Sequence, residues 1–160
     1  MARRPSEDAR IEAIRRLLSG LANGADAHEL VAAVADLHPK NNTFPGEVFM
    51  ELAADAFDVA GVSRDGPIPY EGLLEVHLPE CRFRGRENRK IQYAILISAA
   101  RRAGLEPDLL DEIIWWRTDD YWRYALFAAV AIIRACSARS DNTVPEFVER
   151  LAQIHSLELS

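Results

Sequence analysis

The chain has 160 residues, a net charge of −6 and a hydrophobic fraction of 49%. That length suits one domain with a sizeable core. So much apolar content beside 28% charged residues excludes a chain disordered throughout. The acidic balance excludes a general nucleic-acid coat or a basic membrane arm, and leaves room for a local basic patch.

Basic residues open the chain, but Arg10, Arg15 and Arg16 break up the apolar residues after them, so no secretory signal is expected. The longest apolar run, residues 124–133, is about half of what a membrane crossing needs and reads as a buried helix. Two cysteines, Cys81 and Cys136, make no disulfide framework, and Cys136 falls within an apolar helical pattern as a small core residue. A cytoplasmic protein is expected, without membrane partner, cofactor or metal. Only Lys40 and Lys90 among the 19 basic residues are lysines. Because alanine is abundant too, the arginine excess is read as compositional.

Prolines stand at helix starts and glycines at helix ends, where the missing N–H and the left-handed conformation respectively cost least. The first helix is expected from Ser6 to Ser19, stopped by Gly20, with Ile11, Ile14, Leu17, Leu18 and Leu21 as its apolar stripe. The second starts at Asp26, three before Glu29, a variant of the capping box. The third comes after Thr43 and Pro45 with Val48, Phe49, Leu52, Ala56 and Phe57 inward, and ends at Gly61. Turn chemistry at Ser63–Ile68 marks a seam near 62–68. A short fourth helix runs from Pro69 to Pro79, and a fifth from Arg86 to Ala103. A sixth opens at Pro107, a seventh runs from Asp120 to Ser137, and an eighth begins at the Thr143–Glu146 capping box. The seventh is apolar nearly all round, so it belongs at the centre, against the fifth and the eighth. About eight helices and no strand define an all-α, single-domain bundle spanning residues 1–160, and no fixed repeat argues for a solenoid.

Four constellations bear on function. Arg82, Arg84, Arg86, Arg89 and Lys90 lead into the fifth helix, whose N–H groups attract anions, so they form a candidate phosphate or nucleic-acid site. Asn88, Arg89 and Gln92 are candidates to share a face that reads base edges. The competing reading is a solvated loop whose arginines meet acidic neighbours. Secondly, Trp115, Trp116 and Trp122 sit within eight residues among Glu106, Asp108, Asp111, Glu112, Asp119 and Asp120. Most such rings plug a core, but adjacent tryptophans point about 100° apart, so one becomes a candidate partner anchor. The acidic segment and the basic one pair either within the fold or between copies, and pairing between copies would favour a homodimer.

Thirdly, Glu47, Glu51, Asp55 and Asp58 line one face of the third helix, read as a solvated acidic face rather than as metal ligands, since the helical Glu-x-x-His pattern is absent. Lastly, His28, His38, His77 and His155 lack zinc-ligand spacing with the cysteines. Arg150 and His155 fit an Arg-x4-His spacing that resembles the motif of HEPN ribonucleases, which are small helical proteins. The resemblance covers one helix, and Leu151 stands where that family usually has a polar residue. It implies His155 as the acid–base group and Arg150 as the stabiliser of phosphate charge. Phosphate-loop, nucleophile-elbow and zinc-protease motifs are all absent from the sequence. The leading expectation is a non-catalytic protein–protein interaction module, with a nucleic-acid- or phosphate-binding regulator second and the ribonuclease a minor third.

Overall fold

Residues 5–37, 44–62, 73–81, 85–102 and 121–159 are described by the computed structural model. Among them are seven α-helices, one 3-10 turn and no strand. The helices are α1 (Pro5–Ala22), α2 (Ala27–Val34), α3 (Phe44–Val59), α4 (Leu73–His77), α5 (Arg86–Arg102), α6 (Tyr121–Arg139) and α7 (Val144–Ile154), with the 3-10 turn at Ala35–Leu37. The helix expected to open at Pro107, most of the seam at 62–68 and the first residues of the fourth helix lie outside the described residues.

Helix ends obey the local chemistry of the sequence. Asp26 accepts from the Glu29 N–H at 2.8 Å while Glu29 accepts from the Asp26 N–H at 3.2 Å, a complete capping box. Thr143 and Glu146 repeat the arrangement on α7. α1 runs past Gly20, contrary to the expectation that this glycine stops it. Gly20 serves instead as the point of close approach to α2, where an added Cβ would fall 2.4 Å from Leu30 Cδ2. The terminator is Gly24, at φ +80°, with the paired bonds Gly24 N–H to Leu21 O and Ala25 N–H to Gly20 O. Gly61 ends α3 in the same way.

α6 and α7 close with the same bond pattern but without glycine, placing Asp141 at φ 54° and Ser156 at φ 53°. Serine has little preference for this left-handed region, which costs a side-chain-bearing residue roughly 1 kcal/mol or more. Ser156→Gly is therefore expected to stabilise the chain by about 0.5–1 kcal/mol, measured by denaturant midpoint at unchanged slope.

α6 is the axle. Every residue from Tyr124 to Ile133 is buried, so the apolar run that spans most of its circumference is enclosed on all sides. It packs against α5 and α7, as expected, but its chief neighbour is α3, which the sequence did not single out. The reason is the shape of the two surfaces. α3 offers Ala53 and Ala56 between Phe49, Leu52 and Phe57, and α6 offers Ala125, Ala128, Ala129 and Ala131, all buried. Small residues on both sides let the backbones come close while the large rings fill the flanks.

Two contacts fix the direction of the helices. Lys90, at the start of α5, lies over the Tyr124 ring at the start of α6, with Nζ 4.9 Å from the centroid. Arg102, at the end of α5, is close enough to Cys136, near the end of α6, to act on its thiol. The two helices thus run parallel. The C-terminal end of α3 joins theirs, since the Arg102 guanidinium sits 5.2 Å from the Phe57 ring centroid. The buried side chains of all seven helices form one hydrophobic cluster. No described helix is long and apolar enough to cross a membrane.

Candidate functional site

An arginine on a helical protein is normally absorbed by a nearby carboxylate or carbonyl, because a pairing side chain offsets its charge and its donors. Most described arginines here obey that rule. Arg10 pairs with Glu51 at 2.7 Å, Arg15 with Glu12 at 2.7 Å, and Arg16 with both Glu12 and Asp36 at 3.0 and 2.7 Å. Arg150 donates to Asn142 Oδ1 and to the Val59 carbonyl, at 2.7 and 3.1 Å.

Arg123, exposed in the first turn of α6, departs from it, and so do Arg86 and Arg89. The last two are exposed in the first turns of α5, and neither makes an ion pair or hydrogen bond with another described residue through its side chain. The dipole of a helix favours negative charge at its start, so two cations there are opposed by the backbone. Arg139, also exposed, stands at a helix end, where the dipole favours it. Past Arg89 the outward stripe of α5 continues through Gln92, half-buried Tyr93 and Leu96, the last 43% exposed. The opposite face of the helix, Ile91, Ala94, Ile95 and Ser98, is in the core.

The remaining members of the expected basic site divide. Lys90 is turned to the Tyr124 ring and so belongs to the α5–α6 contact rather than to an open surface. Asn88 is half-buried, while Arg89 and Gln92 share the open face. Arg82 and Arg84 lie outside the described residues, as do Trp115 and Trp116. Trp122 is 6% exposed and packs in the core, so it is no surface anchor on this chain. Its position explains the outcome, because only Arg123 separates it from the fully enclosed stretch of α6, whose buried side it shares.

The acidic face of α3 divides: Asp58 is exposed, as expected of a solvated face, while Glu51 and Asp55 are engaged by other helices. Glu51 receives Arg10 from α1, and Asp55 lies 3.0 Å from Nε2 of His155 through its Oδ2. Together with the Arg150–Val59 bond, this fastens α7 along the end of α3. The two residues that resemble a ribonuclease motif are thus both engaged by α3 or the turn before α7. Among the described residues, no group of three or more histidines, cysteines, aspartates and glutamates is placed to hold a metal ion.

A junction absent from the sequence-based expectations joins α2, α4 and α6. Arg134 makes a two-pronged ion pair with Glu80, at 2.7 and 2.8 Å, and also donates to the His77 carbonyl at 3.0 Å. Glu80 accepts the Ala27 N–H at 3.1 Å as well. The Arg134 hydrogen bonds hold the Glu80 carboxyl at about 2, outweighing the upward push of its partial burial. Next to it, Cys81 Sγ lies 3.5 Å from Nε2 of His28, whose ring meets Phe127 edge-on at 6.0 Å. A cysteine beside a histidine suggests a nucleophile, but the chemistry runs the other way. Burial, then the charge of Glu80, pushes the thiol up to about 11, so it is protonated at neutral pH. A nucleophilic thiol needs the opposite shift. Cys136 is pushed by burial to about 12, as a core thiol should be.

One signal for this junction was present in the sequence. Arg134 interrupts an otherwise apolar helix between Ile133 and Cys136, and a charge so placed demands a partner. No family model matches the chain, and neither the curated proteins nor the solved structures contain a match to it.

Proposed function

We propose that the chain is a non-catalytic protein-interaction module whose contact surface is the outer face of α5. The observation that carries this reading is the pair Arg86 and Arg89, exposed and unpaired among the described residues at a helix start that disfavours them. Local stability argues against cations there, and a partner's carboxylates would account for them. Leu96 and Tyr93 supply an apolar and aromatic continuation on the same stripe. Arginine and tyrosine are among the residue types that most often carry binding energy at protein interfaces.

The arrangement of Arg89 beside Gln92 supports nucleic-acid binding as the second reading. The protein partner is favoured because an exposed leucine adds nothing to a phosphate contact and the chain's −6 charge opposes a polyanion. The test is a photo-crosslinking amino acid placed in living cells at Gln92 and, as a control, at exposed Ala138 near the end of α6. Covalent protein adducts are expected at Gln92 and not at Ala138. Nucleic-acid adducts, or none, would overturn the proposal.

A further inference from the structure

We infer that His28 and Cys81 form a two-point chelate for zinc(II), or an ion of the same borderline-soft class, where α2 meets the loop after α4. Cys81 Sγ and His28 Nε2 are 3.5 Å apart. A zinc ion bonded at about 2.3 Å to sulfur and about 2.0–2.1 Å to nitrogen, with a tetrahedral angle between them, needs its two donors about 3.5 Å apart. Thiol and imidazole are donors that select such an ion, whereas calcium and magnesium take oxygen. Both side chains reach solvent, His28 being exposed and Cys81 half-buried.

The frame around the pair sets that separation. Ala27 precedes His28 and Glu80 precedes Cys81, and these two neighbours are joined, the Ala27 N–H donating to the Glu80 carboxylate at 3.1 Å. Arg134 holds Glu80 in turn, and the Cys81 N–H donates to the Leu78 carbonyl at 3.1 Å. Phe127 fixes the His28 ring by its edge-on contact. Donors held in this way lose little freedom on binding. The surrounding charge also suits a cation. Glu80 and Asp26 act on the thiol as negative neighbours, and the positive neighbour, Arg134, is already paired with Glu80. On binding, the S–H bond breaks, its proton passes to solvent and its electron pair goes to the metal, while the imidazole binds in its neutral form. Water takes the other two positions, because no group of three or more such ligands is assembled among the described residues.

The experiment titrates the full, reduced chain with cobalt(II), a spectroscopic stand-in for zinc, and then with zinc(II). One cobalt per chain is expected, with a thiolate-to-cobalt charge-transfer absorption that zinc removes by displacement. Cys81→Ser is expected to abolish the absorption and His28→Gln to weaken binding by roughly tenfold or more, both with unchanged circular dichroism. Cys136→Ala, which removes the buried thiol, is expected to leave the absorption in place. Zinc is also expected to raise the melting temperature of the wild type and not of Cys81→Ser, since an ion that binds the folded chain stabilises it by mass action. A chain without thiolate absorption, an absorption that survives Cys81→Ser, or binding indifferent to His28→Gln would each overturn the inference and leave the pair a thiol–imidazole hydrogen bond. None of these readouts involves α5, so they stand apart from the contact surface proposed there.

Discussion

Glu80→Ala is expected to cost the fold about 2–4 kcal/mol, a large share of the total stability of a chain this size. The carboxylate does three jobs at once. It neutralises Arg134 through two bonds, takes the Ala27 N–H, and so ties the loop after α4 to both α2 and α6. Its loss leaves a guanidinium with only the His77 carbonyl, on a side chain 21% exposed. A stranded charge is costlier than a missing attraction. The same pair predicts a pH dependence. The carboxyl is depressed from 4.5 to about 2 in the folded chain, a difference equivalent to about 3 kcal/mol. Because the folded value is the lower one, this stabilisation is complete above about pH 5 and is lost as pH falls toward 2. Denaturant titrations between pH 7 and 2 are expected to show wild type losing stability through that window more steeply than Glu80→Gln. Equal slopes would mean that the pair does not hold in solution.

Phe127→Ala is expected to cost about 3–5 kcal/mol. The ring is 1% exposed on the enclosed stretch of α6 and meets His28 edge-on, so its removal leaves a void in the middle of the cluster with no loose neighbour to fill it. Phe127→Leu, which keeps most of the volume, is expected to cost under half as much. Urea unfolding of the three proteins checks the order. A small loss for the alanine variant would show that α6 is less tightly enclosed than its burial indicates.

The helical character of the chain was legible because its signals are local. Capping residues such as Asp26 and Thr143, the glycine at 61 and the apolar spacing on each helix act within a few residues of one another. Gly20 misled because a glycine near a helix end has two uses, as terminator and as a site of close approach. Only the neighbour across the gap, Leu30, decides between them. The preference of α6 for α3 was not legible, since periodicity tells which face is buried and not what covers it. Nor, for the same reason, were the ion pairs of the acidic stripe on α3 legible. Its partners Arg10 and His155 come from distant parts of the chain, 41 and 100 residues away from Glu51 and Asp55. At the candidate site, the sequence pointed to the basic start of α5 but could not separate its members. Arg86 and Arg89 stayed open while Lys90 went to Tyr124, a distinction made by where each position falls around the helix.

The parallel course of α5 and α6 bears on how the chain reaches this state. Lys90 and Tyr124, and likewise Arg102 and Cys136, are 34 residues apart, so no short hairpin brings the central pair together. Helices α6 and α7, joined by a few residues, close early and cheaply. The α5–α6 contact must first bear the entropy of closing a long loop, and α3 enters from further still along the chain. The most enclosed part of the molecule is therefore expected to assemble late, and until then the apolar surface of α6 is what the unfinished chain would expose to its surroundings.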